Sequence, residues 1–138
     1  MAKARVKRIE GMSYMATDTD GNGIIISGDN SPGVSPMQTL LLGLGSCSTI
    51  DVVMILEKGR QQLDDIEVEI EGKRAEELPR PYETIHMHYT LKGKNLDTKK
   101  VERALELSTE KYCGVHATLS GVAKITYDYK IIETGESQ

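Results

Sequence analysis

The pattern of apolar and polar positions changes character at Pro36. Ahead of it, short extended runs alternate with turn residues. Arg5 to Glu10 and Met12 to Thr17 read as strands, Gly21 to Gly23 supply a tight turn, and Ile24 to Ser27 read as a third strand. Asn30 to Pro36 (NSPGVSP) is a loop by composition. From Pro36 the pattern predicts a helix, with Ser35 at the N-cap and Pro36 at the first helical position. Apolar residues occupy almost every side of it through Leu56, and Lys58, Arg60, Gln61 and Gln62 close its far end. A helix of roughly 24 residues is about 36 Å long. Being apolar all round, it must be enclosed by the rest of the protein or by a partner chain. A domain of this size can hardly wrap such a helix alone, so the pattern predicts an intimate homodimer.

Beyond this helix the periods are plainer. Ile66, Val68 and Ile70 alternate with Glu67, Glu69 and Glu71, and Ile85, Met87, Tyr89 and Leu91 alternate with His86, His88 and Thr90. Both are the period-2 pattern of half-exposed antiparallel strands. A second helix is predicted from Asp97, its N-cap, with Val101, Ala104, Leu105, Ser108 and Tyr112 on the buried face. A last strand carries Ala123, Ile125, Tyr127, Tyr129 and Ile131 on one side. The order is βββ-α-ββ-α-β without internal repeats. It predicts an α+β fold of antiparallel sheets around a long buried central helix.

The length of 138 residues fits one domain over residues 1–138, with no room for two independent cores. With six tyrosines and neither Phe nor Trp, the core must be aliphatic. A net charge of −4 offers no positive field for nucleic acid or an anionic membrane. The first residues, MAKARVKRIE, lack the apolar run of a secretion signal. Thr39 to Leu56 is apolar enough to suggest a membrane span, but Ser46, Ser48, Thr49 and Asp51 near its middle favour a buried helix of a soluble, cytoplasmic protein. A cytosolic setting keeps thiols reduced, so a permanent disulfide is not the expected use of the two cysteines.

Those cysteines are the candidate chemistry. Cys47 lies mid-helix in Gly43-Leu-Gly-Ser-Cys-Ser-Thr-Ile-Asp51, among small residues that invite close approach of another backbone or a substrate. Read alone, it has the commonest fate of a free cysteine, that of a small buried hydrophobe. Cys113 falls where the second helix stops, with Gly114 as the expected left-handed terminator; the negative end of that helix would not favour a thiolate. A reactive thiolate would need a cation or donor brought from elsewhere, with Arg5, Arg8 and Arg60 as candidates. A zinc set of Cys113, His116, His86 and His88 is a rival. The two strand histidines fall on a polar face, however, and are expected to be solvated; no metal or cofactor is predicted. Asp18, Asp20, Asn22, Gly23 and Asp29 imitate a calcium-binding loop, but strand-like and Pro-rich flanks make a hairpin turn the expectation.

Three motifs in order then resemble a known family. Ser-Pro-Met-Gln at 35–38 opens the apolar helix, Gly-Ser-Cys-Ser at 45–48 follows at its centre, and Lys-Tyr-Cys-Gly-Val-His at 111–116 follows the second helix. This arrangement resembles the OsmC-like family of osmotically inducible and organic hydroperoxide resistance proteins, over essentially the whole chain. The resemblance implies a dimer of interleaved chains with the long helices at its centre. It implies that Cys47 attacks an organic hydroperoxide and becomes a sulfenic acid. Cys113 then resolves this as a disulfide, and a dithiol or small thiol restores the pair. Well-studied members carry a glutamate at the start of the central helix that holds an activating arginine. Met37 and Gln38 stand there in this chain, and Gln38 is carried as a supporting residue that can bond a guanidinium without neutralising it. A second reading, from another class, is a non-enzymatic dimer that binds a small lipid-like ligand and keeps its cysteines for structure.

Overall fold

The computed structural model describes residues 1–29 and 32–135, so Asn30 and Ser31 of the expected loop lie outside the described residues. The chain forms two compact units, Met1–Leu42 and the chain from Gly43 onward.

In the first unit, β1 (Arg5–Glu10), β2 (Ser13–Thr17) and β3 (Gly23–Ser27) make an antiparallel sheet in sequence order. The calcium-like string is a hairpin turn. The Asp18 carboxylate accepts the N–H groups of Asp20 and Asn22 at 2.9 and 3.0 Å, and Gly21 takes a positive φ of 87°. Ser35 occupies the expected capping position, its carbonyl accepting from the N–H groups of Gln38 and Thr39.

Helix α1 (Pro36–Lys58) runs into the second unit. By length and composition it could cross a membrane, yet Leu44, Ser48, Val52 and Leu56 are at most 1 % exposed. Their four-residue spacing makes a stripe along one side of the helix. Ile50 and Met54, on the other side, are 58 % and 52 % exposed. One chain therefore covers α1 along a stripe, not all round.

The second sheet holds β4 (Gln62–Arg74), β5 (Tyr82–Lys94) and, after the helical segments, β6 (Lys124–Glu133), in that order. The predicted alternation holds: Ile85, Met87, Tyr89 and Leu91 are at most 1 % exposed, and β4 pairs antiparallel with β5 from Gln62↔Lys94 to Arg74↔Tyr82. Strand β6, by contrast, lies parallel to β5, with Ile85 opposite Ile125 and Leu91 opposite Ile131. The sheet is thus mixed. The cause is the helical crossover between the two strands, which returns the chain to the starting end of β5, as parallel neighbours require.

That crossover differs from the single helix expected. Helix α2 (Thr98–Leu107) is capped by Asp97, whose carboxylate accepts from the N–H of Lys99 at 2.9 Å, and buries Val101, Ala104 and Leu105. It continues into one π-helical turn over Ser108–Tyr112, closed by the Cys113 N–H donating to Ser108 O at 2.8 Å. A short helix α3 (Gly114–Leu119) follows. The wider turn breaks the 3.6-residue period, so Ser108 is buried as expected while Tyr112 rotates out and is 52 % exposed. Gly114 is not a left-handed terminator; it is the first residue of α3.

Candidate functional site

Both cysteines are free, and helix α1 and the π turn bring them together: the Sγ atoms of Cys47 and Cys113 and a carboxylate oxygen of Asp51 lie within 4.8 Å of one another. Asp51 is four residues after Cys47, hence on the same helix face. Small residues allow the approach. A methyl group on Gly45 would come within 2.6 Å of Ile70 Cδ1 and 3.2 Å of Val68 Cγ1, so a bare backbone lets α1 settle on β4 beside the thiol.

The two thiols differ in setting. Cys47 is half-buried, whereas Cys113 is 4 % exposed. Burial pushes the Cys113 thiol up to about 11, and Cys47 beside it pushes the same way. Two backbone N–H groups, those of His116 and Val115, oppose this. Cys113, extended at φ −79° and ψ 102°, caps the N-terminus of α3, and its Sγ accepts the His116 N–H at 3.3 Å. The sequence places this thiol at the unfavourable end of a helix; it stands instead at a favourable start, but desolvation outweighs these backbone donors.

A buried set of hydroxyls fixes the geometry. Ser108 Oγ donates to Asp51 Oδ2 at 3.2 Å and lies 3.1 Å from Ser48 Oγ, which is hydrogen-bonded in turn to the Tyr89 hydroxyl. These bonds tie α1, the π turn and β5 at the level of the thiols. Burial raises Tyr89 to about 12, so its hydroxyl stays protonated. Next to the thiols, Asp51 lines an open cavity of about 350 Å³ whose other walls are Met54, Ile55, Lys58, Leu107 and Tyr112.

The zinc set considered from sequence does not assemble. His86 Nε2 and His88 Nδ1 each donate to Asp128 Oδ1, at 3.2 and 2.6 Å, on an exposed face. His116 meets Cys113 through its backbone. Among the described residues, Cys47, Asp51 and Cys113 are the one group of three or more such side chains close enough to share an ion. Arg8 spends its Nε on Gly11 O at 2.8 Å, and Arg60 stands at the end of α1 with a positive φ of 60°. Gln38 lies in the exposed first turn of α1, within the amino-terminal unit.

The model of the family described as OsmC-like protein matches residues 28–128. The chain belongs to the OsmC-like family. It is 41 % identical to Protein YhfA of Escherichia coli over 133 residues, covering 94 % of this chain and 98 % of that protein. A crystal structure of a hypothetical protein from Aquifex aeolicus is 33 % identical, covers 96 % of this chain and 98 % of the other, and superposes with a TM-score of 0.82. The organic hydroperoxide resistance protein OhrB of Bacillus subtilis shares the fold at a TM-score of 0.63 and 18 % identity, over 94 % of this chain and 98 % of its own.

For an OsmC-like chain, the motifs carried the two cysteines but not their neighbours. Asp51 was readable in principle from its four-residue spacing to Cys47. Ser108 was legible only as a polar residue in an apolar helical stripe. Ser48 and Tyr89 gave no signal of their own, since their bond joins residues 41 apart in sequence.

Proposed function

We propose that this chain is a thiol-dependent reductase of organic hydroperoxides, with Cys47 as the attacking thiol and Cys113 as the resolving one. The observation that carries this reading is a pair of free thiols within 4.8 Å, one half-buried and one buried. The half-buried Cys47 is the one a peroxide can reach. Its thiolate attacks the terminal peroxide oxygen, the O–O bond breaks, and the alcohol leaves with a proton, giving Cys47 sulfenic acid. The Cys113 sulfur then attacks the Cys47 sulfur, water departs, and a disulfide remains. A dithiol or small thiol reduces it by exchange, closing the cycle with two electrons taken from the reductant. Closing the bond needs a sulfur separation of about 2.05 Å, a modest approach from the starting distance.

The apolar walls of the adjoining cavity suit an alkyl or acyl hydroperoxide better than hydrogen peroxide. A reducing, cytoplasmic setting would keep the pair cycling. The exposed apolar side of α1 supports a homodimer. Steady-state consumption of an organic hydroperoxide with a dithiol reductant tests the proposal. Wild type is expected to turn over and Cys47→Ser to lose the activity; unchanged turnover in that variant would sink the reading. The same cavity favours a second reading, binding of a small lipid-like ligand without turnover. That reading gains if both thiols survive peroxide while an apolar ligand still binds beside Tyr112.

A further inference from the structure

The sulfur and oxygen atoms of Cys47, Asp51 and Cys113 also form a donor set in their own right. We propose that in the reduced protein these three residues hold a divalent metal ion of the zinc type. The inference uses the same thiols as the proposed peroxidase but does not depend on their reacting with peroxide.

Zinc sits about 2.3 Å from thiolate sulfur and about 2.0 to 2.2 Å from carboxylate oxygen, so two sulfurs sharing a tetrahedral ion are about 3.8 Å apart. The three donors here already lie within 4.8 Å of one another. Closing on an ion therefore needs only side-chain adjustment. Two donors come from one helix face at four-residue spacing, and the third from the junction of the π turn with α3, so the set joins two elements. Outer contacts orient it. The Ser108 hydroxyl holds one carboxylate oxygen of Asp51 at 3.2 Å, and the His116 N–H holds Cys113 Sγ at 3.3 Å. Three protein ligands leave a fourth position for water or a small ligand, and Asp51 borders the 350 Å³ cavity from which one could come. Two thiolates select zinc-type ions over magnesium or calcium. The other histidine and carboxylate cluster, His86, His88 and Asp128, is exposed and satisfied by its own hydrogen bonds.

Loading exchanges two thiol protons for one ion: Zn²⁺ and two thiols give the bis-thiolate complex and two protons. Affinity should therefore rise with pH. The complex and the Cys47–Cys113 disulfide exclude each other. When an organic hydroperoxide takes two electrons from the two bound thiolates, the sulfurs join. The peroxide, with two protons from water, becomes alcohol and water, and the ion is released.

The test is zinc binding to the reduced full-length protein in competition with a chromophoric chelator, with Co²⁺ as the spectroscopic probe. The expected result is one ion per chain and a thiolate-to-cobalt charge-transfer band. Cys47→Ser and Asp51→Asn should each weaken binding on the order of tenfold or more, while Asp128→Asn should bind as wild type does. Circular dichroism checks that each variant is folded; should Asp51→Asn not fold, Cys47→Ser alone carries the comparison. Equal affinity in folded Asp51→Asn and wild type, or a cobalt spectrum without thiolate bands, would overturn the site. Counting thiols after peroxide in the same samples separates the two proposals. Oxidation without zinc binding removes the metal site and leaves the peroxidase, whereas zinc binding by thiols inert to peroxide does the reverse.

Discussion

Burial sets the chemical difference between the two thiols. Because Cys113 is pushed up to about 11, it stays a thiol at neutral pH and becomes an effective nucleophile only toward an electrophile placed against it, such as a neighbouring sulfenic acid. Alkylation by iodoacetamide at pH 8 should accordingly be much slower in Cys47→Ser, which retains Cys113, than in Cys113→Ser, which retains Cys47. The raised value also links to stability with a definite sign. Between its ordinary value of about 9 and about 11, the unfolded chain ionises this thiol while the folded chain keeps its proton. The stabilising contribution is complete below pH 9 and fades as pH rises through 11. Melting of Cys47→Ser followed from pH 8 to 11 should show this loss, and the extra loss should vanish when Cys113 is also replaced by Ser. A second prediction concerns the buried hydroxyls. Ser48→Ala strips the buried Tyr89 hydroxyl of its serine partner and should cost about 1 to 3 kcal/mol in urea unfolding. Adding Tyr89→Phe should cost less than the sum of the separate changes, because the hydroxyl left with only its weak bond to Met87 Sδ goes with it. At this scale the cysteines could be found from their motifs. The residues that position them could not, because hydrogen bonds between α1, β5 and the π turn are created by tertiary packing.

Elements were legible where period and cap agreed. Asp97 at the start of α2, Ser35 before α1 and the alternation in β5 all stand where the pattern put them. The π turn escaped because it keeps the composition of a helix while adding one residue to the turn, which moved Tyr112 outward and made Gly114 a helix start. The parallel β6 escaped because apolar alternation carries no strand direction. Another element-level feature is the end of α1. The Arg60 N–H donates to Glu57 O at 3.0 Å and the Gln61 N–H to Leu56 O at 2.9 Å, the paired bonds of a left-handed helix stop. Arginine takes the left-handed position there, with φ 60°, although glycine adopts it without steric cost. Arg60→Gly should therefore raise stability by about 1 kcal/mol, read as a higher melting temperature with unchanged thiol reactivity. A lower melting temperature would mean that the Arg60 side chain contributes more than its backbone strain costs.

For the molecule as a whole, helix α1 reconciles an apolar sequence with a surface that one chain leaves open. The stripe from Leu44 to Leu56 is fully used, while Ile50 and Met54 face outward. Under the proposed dimer a second copy covers this side. Ile50→Glu combined with Met54→Glu should shift light-scattering mass from dimer to monomer, or lower solubility if the monomer exposes too much apolar surface; an unchanged dimer would place the interface elsewhere. Such a partner could be inferred from sequence only through the all-round apolar pattern, which states that a cover is needed without saying what supplies it. The central claim is that Cys47 and Cys113 are a redox pair, and its most direct test is a free-thiol count with intact mass. The reduced wild type and both Cys→Ser variants would each receive one equivalent of an organic hydroperoxide. The account predicts that wild type loses both thiols and two hydrogen masses, reversibly with dithiol. It predicts that Cys113→Ser gains one oxygen at Cys47, and that Cys47→Ser stays unchanged. Two thiols surviving in wild type, or oxidation starting at Cys113 in Cys47→Ser, would contradict it.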